Sequence, residues 1–281
     1  MNKKVLTTLI VVLVLGLTIL IVNKVIKLNK NIPVTQAECF EFNAEDGKIT
    51  GYRQLCGTEV NIPKEINGVQ VKKIGNYAFS KKELTAVILP DSVEEIGIGA
   101  FSENKIETLE LSNSLKSIKP LAFEKNKIKK INIPETVTNI GFKAFNDNQV
   151  SGEEAFIYQR TKEGIDNTVL VGYAGKERDN VKIPKQVEHL YLYVFSDCGI
   201  KNIEINEKLE RIETGAFENN NLISIEIPKS VMIINQGAFI GNSELKEIKI
   251  KGKSKVEDFG LFNTEELDTS IITFEGSVEE A

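Results

Sequence analysis

Tryptophan is absent from this chain, and histidine occurs once, as His189. One histidine rules out an HExxH zinc motif and ties any Cys–His catalytic pair to that residue. GxSxG, P-loop, GxGxxG and paired-cysteine zinc patterns are missing too, so the familiar hydrolase, nucleotide and metal signatures have no foothold. Basic residues are outnumbered, 35 Lys and Arg against 40 Asp and Glu, for a net charge of −5. That balance speaks against a nucleic-acid binder, which needs clustered cations to displace phosphate counterions. With 41% hydrophobic and 27% charged residues, the 281-residue chain is too apolar for disorder. No catalytic, cofactor or metal residue is assigned, and no enzyme is expected.

Charge is also absent from Val5 to Asn23, "VLTTLIVVLVLGLTILIVN". The run is about the length of a helix that crosses a hydrocarbon core. Lys3 and Lys4 precede it; Lys24, Lys27 and Lys30 follow. A secretory signal has a shorter apolar region and a small-x-small cleavage site. None stands near, so residues 1–30 read as an uncleaved single-pass membrane anchor, with a cleaved signal and a secreted product as the alternative. The repeat domain is expected outside the cytoplasm. Only three cysteines occur. Cys39 and Cys56 flank "FEFNAEDGKITGYRQL", which alternates like a hairpin with its turn at "EDGK", within a cap segment at 31–58. A disulfide across that hairpin would suit an extracytoplasmic compartment; two unpaired thiols are the alternative.

What is present in quantity is a repeat. Phenylalanine stands at Phe79, Phe101, Phe123, Phe145, Phe195, Phe217, Phe239 and Phe262, mostly 22 residues apart, with one gap of 50. A fixed period in this range predicts a solenoid of stacked units. Five residues before Phe comes Ile74, Ile96, Ile118, Ile140, Leu190, Ile212 or Ile234. After it comes a Leu-x-x-Leu-x-Leu pattern such as Ile106, Leu109, Leu111, whose last members alternate as a short strand does. Proline at Pro63, Pro90, Pro134, Pro184 and Pro228 ends that strand, having no N–H for the next ladder bond. One unit cannot bury its apolar face alone; stacked units bury one another's, and the phenylalanines become a spine. A second column reads Lys82, Asn104, Asn126, Asn148, Cys198, Asn220, with Asn242 offset by one from its Leu. Buried asparagines there can bond the backbone of adjacent coils, and Cys198 reads as their small substitute, not as a nucleophile. His189 is expected to face outward.

The tandem "IP.SV..I...AFS.N.L..I.IP" pattern resembles the BspA-like leucine-rich repeats of bacterial surface proteins, over about Val60 to Ile250. The "CFEF…GKITGY…C" opening is similar to the cap that precedes such repeats. The resemblance implies a mainly β repeat solenoid of short parallel strands with few or short helices, over residues 59–281. It also implies surface exposure and binding of host proteins, other cells or matrix. No sorting motif or apolar tail is seen in the closing "FEGSVEEA", so anchoring is expected to rest on the N-terminal segment.

The gap of 50 holds 28 extra residues, expected as a β-hairpin insertion at about 149–178, with strands Ala155–Arg160 and Thr168–Tyr173. Solenoid insertions often map to the binding face. Tyr158, Arg160, Tyr173, Arg178, Tyr191 and Tyr193 fall here or just after, and Tyr and Arg are enriched at binding hot spots. These six are the candidate partner-binding residues; rings that pack the hairpin onto the stack are the competing reading. The function expected is a monomeric, membrane-anchored, extracytoplasmic protein-binding or adhesion module without cofactors. The alternative is a structural or regulatory envelope component that binds a neighbouring membrane protein or wall polymer.

Overall fold

The structure, a computed structural model, describes residues 32–256, 272–274 and 279–280. The chain divides into Met1–Pro33 and Val34–Ala281. The expected anchor and Phe262 lie outside the described residues. Among the described residues no helix is long and apolar enough to cross a membrane. Helical structure there is limited to 3₁₀ turns at Ala37–Cys39, Gln54–Cys56 and Gly152–Ala155.

The repeat unit builds one coil of a β-solenoid. Its Leu-x-Leu segment forms one column of parallel strands, such as Glu59–Asn61, Ala86–Ile88 and Thr108–Glu110. The Ile five residues before Phe ends a second column: Ile74 pairs with Ile96, and Ile118 with Ile140. Between the columns the chain must bend, and proline starts the bend. The N–H groups of Val93, Val137, Val187 and Val231 each return to the carbonyl of the preceding Pro at 3.0–3.1 Å. At the other corner two positions adopt left-handed backbone, two residues before and two after each Phe. Tyr77, Leu121, Lys143 and Tyr193 do so at one, Lys81, Glu103 and Asp147 at the other.

The phenylalanines stack as the period requires. Centroids are 4.8–5.3 Å apart from Phe79 through Phe145, and 5.2–5.6 Å from Phe195 through Phe239, with the rings within 19° of parallel. Tyr52 of the cap hairpin caps the stack at 5.2 Å from Phe79. That hairpin, Phe40–Asn43 against Lys48–Tyr52, feeds the second column directly, because Ile49 pairs in parallel with Ile74. Cys39 and Cys56 are bonded, their Cα atoms 5.8 Å apart. Closing a loop of that size is worth about 3 kcal/mol through the unfolded chain.

The asparagine column is a hydrogen-bond ladder. Asn126 donates through Nδ2 to the carbonyls of Phe101 (2.9 Å) and Phe123 (3.1 Å), and its Oδ1 accepts from Ile106 N–H at 3.0 Å. Asn104, Asn148, Asn220 and Asn242 repeat the pattern. Asn242 has no offset in space: like the others it stands three residues after its Phe and bonds the Phe217 and Phe239 carbonyls. Each buried corner carbonyl is satisfied by the next coil, which buried polar groups require.

Candidate functional site

The insertion is not an appendage. Its strands are Phe156–Thr161 and Gly164–Tyr173, joined by a tight turn at Lys162–Glu163, shorter than the expected "TKEGIDN" loop. Leu170 pairs in parallel with Leu190, so the second strand occupies a place in the column. Tyr173, 22 residues before Phe195, takes the ring position of this coil. Its ring packs on Phe195 at 5.3 Å, tilted by 52°, and on Phe156 at 5.2 Å. Gly175 makes room: a Cβ there would lie 2.1 Å from the Tyr173 ring. Cys198 Sγ sits 4.0 Å from the Tyr173 carbonyl, as the asparagines sit against the preceding Phe carbonyl. Burial pushes this thiol up to about 12, so it is inert at neutral pH, as a structural substitute should be.

The inserted coil has a short corner, and the corners on either side close over it. Phe142 meets Tyr193 at 5.6 Å. Asn146, fully buried, donates to Val194 O at 3.0 Å while its Oδ1 accepts Tyr173 N–H at 3.0 Å. Nothing in its immediate sequence marks this residue, since it stands in the column of Ser80, Ser102 and Ser196. Lys143 bridges Glu124 Oε1 (2.9 Å) and Asp197 Oδ2 (2.6 Å), joining three coils. Burial alone would lower the Lys143 ammonium, but hydrogen bonds to Asp197 and Glu124 win and raise it. Burial would likewise raise Asp197; the Lys143 and Ser196 hydrogen bonds outweigh it and hold the carboxyl below its ordinary range.

A depressed folded-state pKa adds stability that is complete above the unfolded value, near 3.9, and is lost as pH falls through the folded value. Lys143→Met should therefore cost about 2 kcal/mol at pH 7, after discounting a buried-pair loss for partial exposure. It should also flatten the acid limb of the stability curve below about pH 4. Urea titrations at pH 7 and pH 3 check both; equal acid slopes would remove Asp197 from this role.

The six candidate residues divide. Tyr173 is 2% exposed and belongs to the core, so it is not available to a partner. Arg178 is spent internally, on Asp147 Oδ1 at 3.1 Å and on the Gly175 carbonyl. Tyr193 lies over Gly215, whose Cβ would come within 2.4 Å of its ring, and serves the corner. Tyr191 meets the half-buried His189 ring edge-on at 6.3 Å. His189 itself contacts Glu213 Oε1 at 3.1 Å, with no cysteine partner. Tyr158 and Arg160 remain, and they lie together. Tyr158 Oη accepts from Gln186 Nε2 at 2.8 Å, and Arg160 donates to the carbonyls of Pro134 (3.0 Å) and Ile133 (3.4 Å).

Both line an open recess of about 240 Å³ between Ile131–Ile133 and Phe156–Tyr158, with Glu154 and Ile165 completing the wall. Ile165, 59% exposed beside the hairpin turn, was not among the expected residues. Sequence periodicity could not expose it, because the turn belongs to no repeat. The wall mixes apolar side chains, Ile131, Ile133, Phe156 and Ile165, with polar ones, Asn132, Glu154, Arg160 and the Tyr158 hydroxyl, a makeup that can receive a side chain. Among the described residues no cluster of three or more His, Cys, Asp or Glu could hold a metal ion.

Away from the recess, surface charges are used in pairs between coils. Glu94 meets Lys116 and Glu107 meets Lys129, both at 2.7 Å, Lys81 meets Glu103 at 3.3 Å, and Lys182 meets Glu204 at 2.6 Å.

The model of the BspA type leucine rich repeat region matches residues 53–167 and 172–280 in six copies. Among solved structures, the pneumococcal vaccine antigen PcpA is similar, with TM-score 0.54 and 24% identity over 78% of this chain and 68% of that one. A leucine-rich repeat protein of Eubacterium ventriosum gives TM-score 0.51 and 23% identity over 74% and 66%. At such identities the likeness is one of fold. Among curated proteins none matches.

Proposed function

The chain belongs to the BspA-type leucine-rich repeat family, and from that premise we propose that it is a membrane-anchored, extracytoplasmic protein-binding module whose partner engages the interruption in the repeat. The observation that carries this reading is the recess. There Ile165 stands exposed beside Tyr158 and Arg160, whereas many charges of the regular coils are neutralised by their neighbours. Exposed apolar surface rimmed by polar groups marks interaction sites. The Cys39–Cys56 bond supports placement outside the cytoplasm, where disulfides persist. The charge-free run Val5–Asn23 supports attachment through the N-terminal segment.

The test uses the full chain on intact cells. A membrane-impermeant amine reagent should label Lys81, whose side chain is exposed, and proximity crosslinking with the same chain as bait should capture a protein. Absence of label on Lys81 would reverse the topology. Crosslinks confined to components of the producing cell's own envelope would favour an envelope role over adhesion to foreign surfaces.

A further inference from the structure

An ordinary joint between coils is a main-chain ladder. The N–H groups of Gly99, Phe101 and Glu103 donate to the carbonyls of Pro120, Ala122 and Glu124 at 3.0, 2.8 and 2.9 Å, and Ile96 pairs with Ile118 in the second column. At the insertion this ladder stops. Among the described residues, Lys143 and Phe145 donate to no main-chain carbonyl of the following coil. In the second column one sheet ends at Asn139–Ile140. Phe156–Thr161 packs against that strand but begins a new sheet, with no hydrogen bond between the two among the described residues. In the first column no strand follows Thr108–Glu110 until Val181–Lys182. The ring spine breaks at the same place. Phe145 stacks on Phe123, the next set is Phe156, Tyr173 and Phe195, and among the described residues no ring contact joins the two sets.

Side chains take over the crossing. Main-chain bonds persist at Val150, whose N–H donates to the Ala174 carbonyl at 3.0 Å and whose carbonyl accepts from Lys176 N–H at 2.9 Å. On one side of that point lie the corner bonds of Asn146, of Lys143 with Asp197 and of Asp147 with Arg178. On the other, across the recess, Arg160 reaches from the hairpin to the Ile133 and Pro134 carbonyls. Apolar contact fills the rest, because Val150, Ala155, Ile157 and Leu170 belong to one buried core. In a repeat array each joint contributes its own interface term, so a joint stripped of ladder bonds opens before the others.

We propose that this seam is a hinge: the coils up to Val150 and those from Ser151 onward tilt as two rigid stacks about Val150, and Arg160 is the clasp that sets the width of the recess. The direction of motion follows from where the bonds lie. The Val150 bonds hold one point, while the recess side is tied by one guanidinium, whose bonds to two carbonyls can be exchanged for water. Releasing Arg160 lets Phe156–Tyr158 move away from Ile131–Ile133 and Asn139–Ile140 without breaking a strand pair, since none joins them. Opening exposes apolar surface of the shared core, and this favours the closed state at rest. Two packed stacks with a few residues between them are the ordinary anatomy of a hinge. The inference goes beyond the protein-binding reading and stands whether or not a protein occupies the recess.

Two measurements on the detergent-solubilised full chain test the hinge. The first is hydrogen exchange on the unsubstituted chain, which no folding defect can confound. The Tyr173 amide is bonded across the seam to Asn146 Oδ1 at 3.0 Å; the Phe123 amide is bonded within one stack to the Ala144 carbonyl at 2.7 Å. Tyr173 should exchange at least about tenfold faster than Phe123, through an opening that leaves the stacks folded. Equal protection at the two amides would overturn the hinge. The second reads distance between spin labels on introduced cysteines. Cys39 and Cys56 are bonded and Cys198 is buried, so none competes for label. Lys130→Cys with Lys162→Cys spans the recess; Lys162→Cys with Lys185→Cys shares the same turn but stays within one stack, and all three positions are exposed. The first pair should give the broader distance distribution. Arg160→Gln should shift that distribution to longer distances and leave the second pair unchanged. A first pair as narrow as the second, and unmoved by Arg160→Gln, would mean a rigid seam and overturn the proposal. Equal broadening of both pairs would place the motion in the hairpin turn and overturn it as well.

Discussion

Phe123→Ala should cost about 3–5 kcal/mol in reversible urea unfolding, the range for removing a large buried aromatic that cannot be replaced by collapse. The ring is fully buried between Phe101 at 5.2 Å and Phe145 at 5.3 Å. Neither neighbour can move in to fill the void, because each is held by the next ring in the stack. The surrounding column is also clamped by asparagine bonds to the Phe101, Phe123 and Phe145 carbonyls. Repeat arrays can lose cooperativity when one coil fails, so the urea slope must be followed along with the midpoint. A smaller slope would show the coils beyond position 123 unfolding separately. A loss below about 1 kcal/mol with an unchanged slope would contradict the spine, since even the area term for one Phe exceeds it.

The second large effect is polar. Asn126→Leu keeps the volume but removes the donors to the carbonyls of Phe101, Phe123 and Glu124 and the acceptor for Ile106 N–H. Each buried group left without a partner costs about 1–3 kcal/mol. The donors are shared, so a total of about 4 kcal/mol is expected. The exposed Asn113, whose side chain bonds, among the described residues, to the Asp91 carboxylate alone, is the control; Asn113→Leu should change stability by less than about 0.5 kcal/mol. Equal losses at the two positions, measured by the same urea titration, would mean that the buried ladder contributes no more than a surface contact.

Those two columns were legible because they must be. In-register stacking sets each residue beside its copy 22 positions on, so what meets its own copy in the core has to repeat. Phe101 and Asn104 did so in plain sight, and their roles followed from period and residue type. The surface obeys the same geometry with the sign inverted. Position 107 is Glu and position 129 is Lys, and they pair across coils. Read coil by coil such charges look reshuffled and free; read at the period they alternate. The signal was present as opposite charges 22 apart, although exposed pairs of this kind contribute little to stability.

The interruption was harder. Tyr173 stands at the repeat spacing before Phe195, but it is a Tyr at the end of a strand-like run, not an Ala-Phe pair, and so it reads as a binding residue. Its buried place depends on Gly175 leaving space for the ring, which no spacing rule reports. Asn146 and the Lys143 bridge exist only because the inserted coil has a short corner, letting residues about 50 positions apart meet. A consequence follows for deletion experiments. Excising the whole hairpin would take Leu170 and Tyr173 from the core, so loss of binding after such a deletion would report unfolding. Point changes at Ile165 avoid that.

The repeat as scaffold and its interruption as the contact site can be compared in one measurement. A photo-crosslinking residue is placed at Ile165, beside the recess, and in a second variant at Glu226, an exposed position on the regular strand column. Both full-length chains are irradiated on living cells at matched surface levels. Protein adducts from position 165, with few or none from 226, are the result this account expects. Adducts from 226 equal to or stronger than those from 165 would contradict it, and would place the contact on the repeat itself.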